Sequence, residues 1–223
     1  IKTTGNSCNP ATPIEGTITV NPTPKVIYDV SSGSINQTIC EGDTTGITPI
    51  KFSLEGTETA NVTGLPGGVT HSISSTGVLT ITGTPNGVAA DDVFTYTIEP
   101  VNNITNCVGV PVSGTIYVTA LHELTSTSGN TDQILCEDEA ITPINLTLGG
   151  GATDVIITAN TAATATAGNV LSTDLSWMNI STSGTSVTIT GTPSADITQT
   201  TEYAYTIKTT GNSCNPATPI EGT

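Results

Sequence analysis

Residues 65–85 read LPGGVTHSISSTGVLTITGTP, and this stretch contains the pattern that decides the fold. Two short runs, 70–74 and 78–82, lie between turns made of Gly and Pro. In the second run Leu79 and Ile81 alternate with polar or β-branched neighbours, so that one face is apolar. Alternation with a period of two indicates a half-buried β-strand. The stretch therefore predicts two consecutive strands of a sheet.

Similar runs recur along the chain on both sides of this stretch. The predicted strands of the first half are 25–30, 35–40, 50–54, 70–74, 78–82, 93–99 and 114–120. The chain has 47 Thr, 23 Gly and 13 Pro among 223 residues, and these residue types favour strands and turns. Seven short strands with such turns are typical of an immunoglobulin-like sandwich, so we expect an all-β protein.

An identical repeat sets the larger organisation. Residues 1–17 read IKTTGNSCNPATPIEGT, and residues 207–223 are the same letter for letter. The offset of 206 residues indicates a tandem array, of which this chain would be one period and a short overlap. We therefore interpret residues 1–24 as the end of a preceding copy and its linker.

The period divides again into two diverged units. The matching stretches are ICEGDTTGITPI (39–50) with LCEDEAITPI (135–144), TITGTP (80–85) with TITGTP (188–193), and FTYTI (94–98) with YAYTI (203–207). They predict one sandwich over residues 25–120 and a second over 121–223, arranged end to end. The last strand of the second unit is expected to continue beyond Thr223 with the Ile18-Thr19-Val20 sequence of the next copy.

The charge of the chain excludes several classes of partner. Four Lys, no Arg and 19 Asp and Glu give a formal net charge of −15. Nothing in this composition can neutralise phosphates, so we expect no nucleic acid and no docking on anionic lipid. No apolar run approaches the ~20 residues that span a bilayer, so we expect no membrane insertion. The expected partners are neighbouring repeats of the same chain and, beyond them, an external surface or glycan.

The five cysteines follow the two-unit repeat. Cys40 and Cys107 hold the same places in the first unit as Cys136 and Cys214 hold in the second. This register predicts the disulfides Cys40–Cys107 and Cys136–Cys214, each within one unit, and leaves Cys8 unpaired in this chain. Disulfides persist in oxidising compartments, so the expected location is the cell exterior, at the cell surface after export.

No constellation of catalytic residues stands out, and we expect neither an enzyme nor a cofactor. The two His residues, His71 and His122, lie far apart in sequence, and no Cys has a His nearby. Calcium is the one metal hypothesis, because it takes six to eight oxygens from acidic loops. The candidate ligands are Glu41, Asp43, Asp91, Asp92, Glu137, Asp138, Glu139 and Asp196. The alternative is that these are solvated acidic loops.

The opening stretch also carries a resemblance. Its Leu-Pro-x-Gly-Val, strand and Thr-Gly-Thr-Pro turn resemble bacterial Ig-like and cadherin-like domains. The Cys-Glu opening of each unit, the PVSGTIYV ending (111–118) and the two-unit period resemble the PKD-like/Ig-like tandem repeats of giant Bacteroidota surface adhesins. Among these are the gliding-motility adhesins of the SprB type. The resemblance implies export by type IX secretion and a filament on the cell surface.

Three functions are compatible with these observations. The first is a structural segment, or stalk, of a long surface adhesin or filament, because near-identical repeats build length. The second is a carbohydrate-binding module, although one Trp and five Tyr are few for sugar platforms. The third is an accessory domain of a secreted hydrolase. The stalk is the leading hypothesis.

Overall fold

The structure is a computed structural model that describes residues 15–193, 197–214 and 217–223. The regular elements in these ranges are β-strands, numbered β1 to β18 below. Among the described residues there is no helix, and hence none that could cross a membrane. The all-β class predicted from the sequence is confirmed.

The first nine strands build one sandwich. They are β1 (Lys25–Tyr28), β2 (Asn36–Cys40), β3 (Ile50–Glu55), β4 (Ala60–Thr63), β5 (Val69–Ile73), β6 (Val78–Gly83), β7 (Asp92–Asn102), β8 (Cys107–Val108) and β9 (Val112–Thr119). One sheet has the order β1-β3-β6-β5, and the other has the order β2-β9-β7-β4 with β8 paired to β7. Apart from β2, which runs parallel to β9, this is the ABED and CFG arrangement of an immunoglobulin-like domain.

The core of the first sandwich lies where the alternating apolar faces of the two sheets meet. Phe52 on β3 and Leu79 and Ile81 on β6 are fully buried. Opposite them, Tyr96 on β7 and Ile116 on β9 are fully buried as well. The period-two pattern that predicted these strands thus also selects the residues that leave water.

The remaining strands build a second sandwich. They are β10 (His122–Ser128), β11 (Ile144–Gly150), β12 (Ala152–Ala159), β13 (Val170–Leu171), β14 (Met178–Ser183), β15 (Ser186–Gly191), β16 (Thr201–Glu202), β17 (Tyr205–Gly211) and β18 (Ile220–Gly222). The orders β10-β11-β15-β14 and β12-β17-β18 repeat the ABED and CFG arrangement, and β13 pairs with β16. Its core, from Ile141 to Ile207, is separate from the first.

A buried tyrosine marks the same position in both sandwiches. The Tyr96 hydroxyl donates to the Ile35 carbonyl oxygen at 3.0 Å, and the Tyr205 hydroxyl donates to that of Thr131 at 2.6 Å. Burial raises the pKa of both tyrosines to about 12. Each ring packs against a strand glycine, Gly114 or Gly222, where a Cβ would collide with the phenol. The two units therefore share register as well as strand order.

The seven strands predicted for the first half are all present, as β1, β2, β3, β5, β6, β7 and β9. Two strands were not predicted, namely β4 and β8. The β4 sequence Ala-Asn-Val-Thr lies at a sheet edge and pairs only with β7. The strand has only four residues, of which Ala60 and Val62 pack against the core, and so short a run gives little periodic signal.

Candidate functional site

The junction between the two sandwiches is the part of the described structure where side chains of both units meet. β9 ends at Thr119 and β10 begins at His122, so only Ala120 and Leu121 connect the sandwiches. Ala120 is fully buried and His122 nearly so. Residues this well buried in a linker indicate a packed interface between the two sandwiches.

A disulfide between Cys40 and Cys214 crosses this junction, and its Cα atoms are 5.6 Å apart. The predicted pairs Cys40–Cys107 and Cys136–Cys214 are therefore wrong. Cys107 and Cys136 are free thiols in this chain, the first half-buried and the second exposed. Cys8 lies outside the described residues.

The direction of the strands explains why the predicted pairs do not form. Cys40 pairs with Thr119, at the end of the sheet that leads into the second sandwich. β7 runs antiparallel to β9, so Asp92 lies at that end and Asn102 at the other. The ten residue steps from Asp92 to Asn102 span about 33 Å. The β7–β8 hairpin therefore holds Cys107 at the end of the sheet opposite to Cys40.

The disulfide closes a long loop, since its cysteines are 174 residues apart in sequence. A cross-link restricts the unfolded chain more strongly as the loop lengthens, and for this length the chain-entropy model gives about 5 kcal/mol. The loop contains most of both sandwiches. The bond therefore opposes both unfolding and separation of the sandwiches.

Asn212, in the loop after β17, is the polar centre of the junction. Its Nδ2 donates to the Asp91 carboxylate at 3.1 Å and to the Ala120 carbonyl oxygen at 2.9 Å. Its Oδ1 lies 3.1 Å from His122 Nε2. Because Oδ1 can only accept, Nε2 carries the proton, and His122 Nδ1 is free to accept from the Thr209 hydroxyl 3.0 Å away. One amide thus connects the linker with both sandwiches.

Asp91 provides the first sandwich's share of this network. The Ala120 N–H donates to its carboxylate at 2.9 Å, and the Tyr117 hydroxyl donates at 3.0 Å. The Ala120 N–H has the largest effect in holding the pKa of Asp91 below its usual value, and the hydrogen bonds from Tyr117 and Asn212 add to it. Burial acts in the opposite direction. The hydrogen bond between the Tyr117 hydroxyl and Asp91 raises the pKa of Tyr117.

The lowered pKa of Asp91 makes the junction sensitive to acid. A carboxyl with a lowered folded-state pKa stabilises the fold above its unfolded pKa of about 3.9, and this contribution is lost as the pH falls through the folded value. We expect the Ala120 amide to exchange faster in Asp91→Asn than in the unchanged chain above about pH 4, and the difference to shrink below it. Amide hydrogen exchange at several pH values measures this. Asp29→Asn is the matched control, because the Asp29 carboxylate accepts hydrogen bonds from Ser31 in its own turn and none from the junction. Equal exchange in all three chains would contradict the assignment.

The predicted calcium ligands that the structure describes do not form a metal-binding group. Among residues 15–193, 197–214 and 217–223 no group of three or more His, Cys, Asp or Glu side chains could hold a metal. Glu41 instead accepts from the Val88 N–H, and Asp43 accepts from Thr45. Asp92 accepts from Val93 N–H, and Glu139 from Cys136 N–H. Glu137 and Asp138 lie in the loop after Cys136, and Asp196 is outside the described residues. The described residues therefore provide no set of ligands that would support the calcium hypothesis.

A second feature is a cavity of about 440 Å³ in the second sandwich. Its lining includes Trp177, Tyr203, Tyr205 and Ile144, and it reaches Thr223 and Cys136. Trp177 and Tyr203 pack edge to face with ring centroids 5.3 Å apart. Within the described residues the buried Trp177 Nε1 has no hydrogen-bond partner. Neither this cavity nor Asn212 could be recognised from the sequence, because both depend on contacts between distant strands.

Comparisons with known proteins give a weak structural likeness. No protein-family model and no curated protein matches the chain. A two-domain immunoglobulin-like structure, DIP-gamma IG1+IG2, is similar at TM-score 0.48 and 11% identity over 92% of this chain and 97% of that one. The protocadherin GammaB4 extracellular domain is similar at TM-score 0.45 and 12% identity, over 90% of this chain and 32% of that one. Titin A168169 is similar at TM-score 0.42 and 10% identity, over 90% of this chain and 97% of that one. Likeness at these values says nothing about function.

Proposed function

We propose that the chain is a segment of a long extracellular stalk built from tandem copies of its 206-residue period. The observation that supports this most is the mismatch between its two ends. β18 pairs with β17 over its three residues and ends at Gly222, while Ile18 and Val20 are 94% and 87% exposed at the other end of the chain. In an array, each end would complete the other.

The register of β18 specifies where the residues of a following copy would lie. On β9, Gly114 lies opposite Tyr96, and Ile116 and Val118 follow it on the buried face. On β18, Gly222 lies opposite Tyr205 in the same way. Residues 207–223 repeat residues 1–17, so a following copy would place its Ile18 and Val20 where Ile116 and Val118 stand.

The linkers support the same arrangement. In the first sandwich Lys25 pairs with Glu55, and in the second Glu123 pairs with Gly149 at the corresponding position. Lys25 follows Val20 by as many residues as Glu123 follows Val118. The junction between two periods would therefore have a linker as long as the one between the two sandwiches.

An extracellular location and a structural role fit the remaining observations. The Cys40–Cys214 disulfide is of a kind that persists outside the reducing cytoplasm. The net charge of −15 per chain opposes lateral association of such stalks. Within this proposal, the resemblance to gliding-motility adhesins would make the stalk part of a moving surface filament exported by type IX secretion. Its partners are neighbouring repeats, and we assign it no enzymatic activity.

The carbohydrate-binding hypothesis has less support. A sugar platform needs an exposed aromatic face. Trp177, the one Trp of the chain, packs against Tyr203 and the second core. Glycan-array binding by the isolated chain, lost in Trp177→Ala, would favour the module over the stalk.

Small-angle scattering tests the stalk geometry. Sandwiches joined end to end advance about 35–40 Å each, from strands of 6–8 residues and their loops. A chain that continues after Thr223 with residues 18–223 should therefore exceed the single chain in maximum dimension by about 70–90 Å. An unchanged maximum dimension would mean that the sandwiches pack side by side, and the stalk proposal would then lose its geometric basis.

A further inference from the structure

We propose that Cys136 of one period forms a disulfide with Cys107 of the next, so that every sandwich of the array is bonded covalently to its successor. The inference rests on the proposed tandem array. It extends to the junction between periods the arrangement that Cys40 and Cys214 show between the two sandwiches.

Cys136 stands at the position of Cys40. In the first sandwich the Gln37 side chain bonds both the carbonyl oxygen and the N–H of Thr48. In the second, Gln133 bonds Thr142 in the same two ways. Cys40 and Cys136 each follow that glutamine by three residues. Each is thus held at the end of its sandwich that faces the next unit.

The strand ends confirm this placement within the chain. The Glu41 N–H donates to the Thr119 carbonyl oxygen, where β9 leaves the first sandwich. The Gln133 N–H donates to the Thr223 carbonyl oxygen at the corresponding edge of the second sandwich. Cys136 is therefore close to the point from which a following copy would continue.

Cys107 stands at the position of Cys214. Both cysteines follow the strand of the buried tyrosine, Cys107 after Tyr96 and Cys214 after Tyr205. The two turns differ, since eleven residues separate the first pair and nine the second. Both nevertheless lie beside the incoming linker: Gly109 packs against the backbone of Pro24, as Asn212 packs against Ala120.

Exposed apolar side chains lie close in sequence to both free cysteines. Ile134, two residues before Cys136, is fully exposed. Around Cys107, Ile104, Val108 and Val110 are also exposed. Apolar side chains at both ends would be buried if the ends of successive periods packed against each other, and this would bring the two thiols together.

The reaction is a two-electron oxidation. The Cys136 and Cys107 thiols lose two protons and two electrons as the S–S bond forms, and a disulfide oxidant of the exported compartment is reduced to two thiols. In practice oxidised glutathione serves as the oxidant. No other bond breaks, and Cys40 and Cys214 stay paired.

Thiol counting in a two-period chain tests the inference. Residues 18–223 are added after Thr223, Cys8 is replaced by Ser, and the oxidised chain is unfolded and labelled with a maleimide. We expect two fewer labels than in a chain whose Cys136 and Cys107 are all free. Cys136→Ser in the first period should release its partner, so that the number of labels rises by one, and Cys107→Ser in the second period should do the same.

The outer cysteines provide matched controls. Cys107→Ser in the first period and Cys136→Ser in the second have no partner in this chain, and each should lower the number of labels by one. Free thiols at both inner positions, or a bond between Cys107 and Cys136 of one period, would overturn the inference. The melting temperature of the first period's second sandwich, followed in the same chain, separates the two proposals. If this melting temperature is higher than in the single chain while the inner thiols stay free, the tandem array is supported and only the disulfide between periods is contradicted.

Discussion

Reduction of the Cys40–Cys214 disulfide should lengthen the mechanically stretched chain by roughly 600 Å. The bond closes a loop of 174 residues, and each residue spans about 3.4 Å when extended. Force applied to the two ends of the oxidised chain therefore cannot extend the residues inside the loop. Single-molecule stretching with and without a reductant measures the difference in contour length.

The pairing can be identified from the size of the step. Cys40→Ser should give the long contour without reductant, whereas Cys107→Ser and Cys136→Ser should behave like the unchanged chain. Pairs within each unit would instead lock 67 residues between Cys40 and Cys107 and 78 between Cys136 and Cys214. They would give two shorter steps of roughly 230 and 270 Å. Such steps would contradict the observed junction.

A chain extended beyond Thr223 by Ile-Thr-Val-Asn-Pro-Thr-Pro, the sequence of residues 18–24, should have a more stable second sandwich. The added Ile and Val would take the places that the fully buried Ile116 and Val118 occupy in the first. Burying two such side chains contributes about 3 kcal/mol or more. For a domain of this size that corresponds to a melting temperature higher by on the order of 10 °C.

The control is the same extension with Thr in place of its Ile and Val. Both extensions order the same length of backbone, so that the comparison isolates the two apolar side chains. Trp177 is the chain's one Trp and lines the cavity beside Thr223, so its fluorescence reports on the second sandwich alone. Equal melting temperatures of the two extended chains would mean that the strand is not completed in this way, and the tandem stalk would lose its main support.

Much of the fold could be predicted from local pattern. Leu79 and Ile81 alternate with polar positions, and both are fully buried on β6. The shared Thr-Gly-Thr-Pro turn and the matching tyrosine strands predicted two copies of one sandwich, and Tyr96 and Tyr205 do occupy one register. These features are local, because a strand's burial pattern and its turns are written in consecutive residues.

The candidate site was less accessible from the sequence. Asn212 and Asp91 are 121 residues apart, and neither is unusual among the polar loop residues of the chain. The repeat aligned Cys40 with Cys136 and Cys107 with Cys214, but it led to the wrong pairs. Equivalence between units says nothing about which end of a sheet a residue occupies.

The sequence alone thus determined seven strands of the first sandwich and the presence of a second, related unit. Only the tertiary structure decided that Cys40 bonds Cys214. β2 runs parallel to β9 and β7 antiparallel to it, so Cys40 lies at the outgoing end of the first sandwich and Cys107 at the incoming end. The short linker then brings the Cys214 loop to Cys40. Strand direction and the contact between sandwiches are long-range properties, and no run of neighbouring residues encodes them.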